Sequence, residues 1–120
     1  LPVWLWLRAA GAEMAARRPV AAAADYGAAR AAARERGLPL FERDALDGLA
    51  RAEQARQQPL AAEAALTDAI ALMQSERPMS PALVRTLNAL GVSQREFGRL
   101  DDSERTFTRA LETAAAVCPG

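Results

Sequence analysis

Apolar positions recur along this chain at helical spacing and not in alternation. Leu83, Leu87 and Leu90 stand one and two turns apart and form a stripe on one helix face. Proline, glycine and capping residues break the pattern into six segments, 2–17, 19–36, 39–57, 59–76, 81–97 and 101–117. Pro19, Pro59 and Pro81 sit where a first helical turn tolerates proline, because the missing N–H has no intrahelical partner there. Ser80 before Pro81 predicts an N-cap, and Asp101 with Glu104 predicts a capping box. Gly37 and Gly98 stand where the preceding helices should stop. Short connections make neighbouring helices antiparallel hairpins.

The pattern repeats. Stepping back from the last segment by 41 and then 40 residues places Phe107 on Leu66 and Tyr26, Ala110 on Ala69 and Ala29, and Ser103 on Ala62 and Ala22. In the first helix of each hairpin, Leu87 falls on Leu46 and Trp6, Leu90 on Leu49 and Ala9, and Gly91 on Ala50 and Ala10. Leu100 falls on Pro59 and Pro19 at the turn between the two helices. Three copies of one hairpin follow, at 1–37, 38–79 and 80–118. One hairpin cannot bury its apolar stripe alone, whereas stacked hairpins bury it against each other. Small residues at Gly91 and Ala110 mark close helix crossings that a bulky side chain would push open.

Composition sharpens the helical reading. The chain holds thirty alanines against one isoleucine and one tyrosine, so strand formers are too sparse for a sheet. Fifteen arginines balance fifteen acidic residues, which argues against recruitment by a polyanion. The Ala/Arg bias, with no lysine, suggests a GC-rich bacterial genome. The absence of histidine removes the commonest general base and metal ligand. Cys118 has no second cysteine with which to form an internal disulfide. The apolar opening around Trp4 and Trp6 is too short for a membrane span and lacks the preceding basic segment of a targeting peptide. A first residue that is not methionine suggests a fragment of a longer protein.

The third hairpin, LVRTLNALGVSQREFGRLDDSERTFTRALETAA, resembles the tetratricopeptide repeat. Leu87 followed by Leu90-Gly91, then Gly98 and Leu100 at the turn, then Ser103, Phe107 and Ala110, match that family's order of large and small residues. Gln94 replaces the family's usual aromatic, and the first two hairpins carry Ala10 and Ala50 in place of Gly91. The 40- and 41-residue spacings exceed the standard repeat of about 34. The extra residues, around SERPMSP, resemble the longer-linker variety of kinesin light chains and bacterial regulators. The resemblance implies an all-α, right-handed solenoid of three hairpins whose first helices line a concave groove for an extended peptide or partner helix.

Carried over residue by residue, the groove-facing set in the third hairpin is Arg85, Asn88, Val92 and Arg95. In the second it is Asp44, Asp47, Arg51 and Gln54, and in the first Trp4, Leu7 and Met14 are the counterparts. Arg85, Asn88 and Arg95 could grip a carboxylate or backbone amides. The alternative for all of these is a solvated helix face, with Asp47 and Arg51 an ordinary i,i+4 pair. Arg17, Arg18, Arg30, Arg34 and Arg36 make the N-terminal third the basic end, without the interleaved aromatics of nucleic-acid recognition. Trp4 and Trp6 cannot both face the core, and alignment with Leu46 and Leu87 assigns Trp6 inward and leaves Trp4 exposed.

The resulting expectations are a protein- or peptide-binding module in a cytoplasmic bacterial protein such as a regulator. They include no catalytic residue, cofactor, metal, nucleic acid or membrane. The alternatives are a structural spacer, a homodimer through Trp4 on the N-terminal helix, and a helical-repeat nucleic-acid binder.

Overall fold

The prolines and turn residues set where each helix begins and ends. The computed structural model describes residues 1–76 and 80–117, and it is all-α. Its helices are α1 (Val3–Ala15), α2 (Pro19–Glu35), α3 (Pro39–Ala55), α4 (Pro59–Glu76), α5 (Pro81–Glu96) and α6 (Leu100–Val117). Pro19, Pro39, Pro59 and Pro81 each open a helix, where the proline φ is already helical and no N–H bond is lost. Ser80 caps α5 by accepting a hydrogen bond from the Leu83 N–H at 3.2 Å. Residues 77–79, the centre of the long linker, and Cys118 lie outside the described residues.

Four turns share one construction. Arg17, Gly37, Gln57 and Gly98 all adopt the left-handed conformation, with φ of 60°, 67°, 57° and 78°. The following N–H reaches back across the helix end at 2.8 Å in every case: Arg18 to Glu13, Leu38 to Ala33, Gln58 to Glu53 and Arg99 to Gln94. This is a Schellman closure, which satisfies the last free carbonyls of a helix. Glycine adopts that backbone without penalty, so Gly37 and Gly98 end their helices as expected. Arg17 and Gln57 hold the same geometry against the clash between Cβ and carbonyl.

One expected start differs. α6 begins at Leu100, so Asp101 is inside the helix and exposed, and it does not cap. The neighbouring Asp102 makes the local ion pairs instead. It accepts from Arg99 Nε at 3.0 Å and Nη2 at 2.6 Å, and from Arg105 Nη2. The two guanidiniums hold the Asp102 carboxyl below the usual range, with Arg99 the larger cause. Starting at Leu100 brings α6 into line with the Pro59 and Pro19 starts of α4 and α2.

The chain forms two compact units, Leu1–Ala65 and Leu66–Gly120. In the first, α1 packs on α2 and α3, and α2 packs on α3. Alanine dominates both of its core clusters. Val3 meets Ala29, Ala32, Ala33 and Ala45, while Ala10 meets Ala22, Ala23, Tyr26 and Ala52. Small side chains bury little area each, so this core works by close backbone approach. Trp6 is half-buried against the Val3 cluster, with the Arg36 guanidinium 6.0 Å from its ring centroid, and Trp4 is exposed. In the second unit α5 packs on α6, and Leu66, Ile70, Met73, Leu83, Leu87 and Leu90 are buried.

Two glycines mark the closest crossings. A Cβ on Gly91 would stand 2.8 Å from the Phe107 ring, and the Ser103 hydroxyl donates to the Gly91 carbonyl at 2.7 Å. The expected close crossing at Gly91 is therefore present. In the first unit a different close approach falls on Gly48 of α3, where a Cβ would stand 2.2 Å from Cε1 of Tyr26 of α2.

Candidate partner-binding face

Two short stripes of polar side chains lie on the outer faces of α3 and α5. On α3, Asp44 and Arg51 are exposed while Asp47 and Gln54 are half-buried. Their spacings of three, four and three residues keep them on one face. On α5 the same spacing places Arg85, Asn88 and Arg95 in solvent, with Val92 half-buried among them. Each stripe thus offers charged and amide groups beside a partly covered surface, a combination suited to hydrogen bonding a chain laid along the helix.

The first hairpin departs from its expected counterparts. Trp4 is 49% exposed, as the Trp4/Trp6 argument required. Leu7 and Met14, however, pack onto the cluster of Ala10, Ala22, Ala23, Tyr26 and Ala52. They are correctly spaced for a stripe, but both are large and apolar beside alanines that leave space, so burial wins. The α1 face retains Trp4 alone from its expected set.

Each stripe rests on a backing that positions it. Tyr26 from α2 lies against Gly48, next to Asp47, and so sets how closely α3 approaches α2. Arg30 of α2 adds an ion pair to Glu42 of α3 at 3.6 Å. Behind α5, Gln94 is buried and accepts the Thr106 hydroxyl at 2.7 Å. The Arg95 guanidinium lies 6.0 Å from the Phe107 ring centroid, within reach of a cation–π contact. Gln94, which departs from the family's aromatic, is therefore a satisfied buried polar group. Sequence reasoning missed Gly48. An isolated mid-helix glycine was its signal, since such a residue costs about 1 kcal/mol relative to alanine and calls for a packing reason.

Away from the stripes, two acidic side chains meet between α1 and α2. A hydrogen bond that the protonated Glu13 carboxyl donates to Asp25 is the main cause that raises Glu13 above its ordinary range; burial and the Asp25 charge add to it, and Arg18 opposes it. Among the described residues no group of three or more His, Cys, Asp or Glu side chains could hold a metal ion. No helix among them is long and apolar enough to cross a membrane.

Comparison with known proteins bears on the family and the fold. Residues 41–116 match the family model described as tetratricopeptide repeat. No curated protein matches the chain. Among solved structures, the TPR domain of Arabidopsis FLU superposes with a TM-score of 0.84 over 95% of each chain, at 16% sequence identity. At that identity the likeness is one of fold.

Proposed function

Because the chain belongs to the tetratricopeptide repeat family, whose members generally mediate binding to other proteins, we propose that it holds a peptide or partner helix against the exposed face of α5, with the α3 stripe a second such face in its own unit. The observation that carries this reading is the outward α5 set, Arg85, Asn88 and Arg95 around a half-buried Val92. Three donors beside an apolar floor can bond a partner's carboxylates and backbone carbonyls while Val92 excludes water. The α3 stripe, with Asp44 and Asp47 beside Arg51 and Gln54, presents both signs of charge and suits a partner segment of mixed charge. Balanced overall charge weakens a nucleic-acid reading, which needs a surplus of arginine.

In this account the chain is the sensing or scaffold part of a larger cytoplasmic bacterial protein such as a regulator. It has no chemistry of its own. Peptides selected from a random displayed library should bind the wild type. They should bind Asn88→Ala or Arg95→Ala several-fold more weakly, with helicity unchanged. Equal binding by all three proteins would reject the α5 face as the working surface.

A structural role without a separate ligand is the second reading, favoured by the exposure of Trp4 on α1. It predicts a solution dimer that Trp4→Ala dissociates.

A further inference from the structure

The end of the first helix in each hairpin carries one side chain that can reach the second helix, and the three hairpins fill that position differently. The repeat offsets of 40 and 41 carry Glu13 onto Glu53 and Gln94, and Asp25 onto Ala65 and Thr106. The place in the helix is the same each time, because the carbonyls of Glu13, Glu53 and Gln94 all accept the closing N–H of the turn that follows. In the third hairpin the buried Gln94 side chain accepts the Thr106 hydroxyl at 2.7 Å, a bond between two neutral groups. In the second, Ala65 offers no polar partner, and the buried Glu53 accepts instead from Arg56 at 2.9 Å. The first hairpin puts two acids there.

Two carboxylates cannot hydrogen bond each other, since both are acceptors. Glu13 Oε1 is out of contact with water, and no N–H or O–H donor reaches it. The bond between the two side chains therefore needs a proton, which Glu13 donates and Asp25 accepts. Without that proton, two negative charges face each other where α1 ends against α2. From the turn, Arg18 acts on Glu13 and favours its ionised form. α3 packs on both helices and brings the apolar Leu49 and Ala52 to the cluster beside them, while its own Glu53 is paired with Arg56. Met14, next to Glu13, packs onto Ala10, Ala22, Ala23 and Tyr26, so the end of α1 covers apolar surface.

We infer that this pair is a proton-operated clasp: the proton between Glu13 and Asp25 holds the end of α1 on α2, and its loss lets that end lift. The α5–α6 hairpin, closed by Gln94 and Thr106, carries no such proton and stays shut. Protonation belongs to the closed form, so the clasp is closed at acid pH and opens as pH rises towards neutrality. Two carboxyls thus supply a pH response to a chain without histidine. The inference is independent of the peptide-binding reading, and its test uses no ligand.

Amide hydrogen exchange, corrected for the intrinsic rate at each pH, tests it on the whole chain. Between about pH 4.5 and about pH 8, protection at the end of α1 and the start of α2 should fall several-fold, within the factor of about ten per pH unit that one proton permits. Amides of α5 and α6 should keep theirs, since Asp102 is shifted down and is already ionised over this range. Installing the pair of the third hairpin, Glu13→Gln with Asp25→Thr, should abolish the fall. A second measurement needs no refolded double variant. The carboxyl carbon shift of Glu13 should titrate above the ordinary carboxylate range in the wild type and return towards it in Asp25→Ala. The inference is overturned by unchanged protection at the α1 end, by an equal fall in α5 and α6, or by a fall that survives in the double variant. Titration of Glu13 within the ordinary range overturns it as well.

Discussion

Tyr26 of α2 occupies the space that a side chain on Gly48 of α3 would need: a Cβ there would lie 2.2 Å from the ring. The contact fixes the approach of two helices that are joined by only a short turn. It also explains a glycine in the middle of a seventeen-residue helix, where helix propensity alone disfavours it.

Gly48→Ala should therefore destabilise the protein by about 1–3 kcal/mol, even though alanine is worth about 1 kcal/mol more than glycine in a helix interior. Combining it with Tyr26→Ala should cost less than the sum of the two single changes, because the clash disappears with the ring. Urea unfolding of the four proteins measures this, and additive costs would mean that the two residues do not meet.

The left-handed turn residues lead to a contrast of opposite sign. Gln57→Gly should raise stability by up to about 1 kcal/mol, since glycine adopts φ of 57° without a Cβ clash. Gly37→Ala, at φ of 67°, should lower it by about the same amount. Thermal melts of both variants would show one midpoint rising and the other falling.

Two carboxyls should move stability with pH in opposite directions. The folded protein holds the Glu13 proton more tightly than the unfolded chain does. The Glu13 contribution is therefore complete below its unfolded value, about 4.3, and is lost as pH rises through its raised folded value. Glu13→Gln should stabilise the protein at neutral pH and flatten that loss. Asp102 is shifted down by Arg99 and Arg105, so its contribution is present above about 3.9 and is lost as pH falls through its lower folded value. Asp102→Asn should weaken the protein at neutral pH and remove that acid-side loss. Denaturant midpoints measured from pH 3 to 8 separate the two.

Much of the helix architecture was legible because its signals are local. Pro19, Pro59 and Pro81 act within one turn, Ser80 reaches only to Leu83, and Gly37 and Gly98 carry their own backbone preference. Arg17 and Gln57 gave no such signal, since the backbone closures that follow them, Arg18 to Glu13 and Gln58 to Glu53, and not residue type, go with their left-handed conformation. Asp101 was misjudged by one helical position, because Asp102 and its two arginines offered the stronger local arrangement. At the candidate face, spacing alone put Arg85, Asn88 and Arg95 on one side of α5, and all three are exposed. Spacing failed for Leu7 and Met14. Their fate depended on the gap that alanines from α2 and α3 leave beneath α1, which a single helix does not reveal.

The most direct test of the central claim is amide chemical-shift mapping of the folded chain with a selected peptide at saturation. The account predicts the largest shifts along the exposed faces of α3 and α5, around Asp44 to Gln54 and Arg85 to Arg95, with α2 and α6 little affected. Shifts concentrated on α2 or on the outer face of α6, with those two stripes silent, would contradict it.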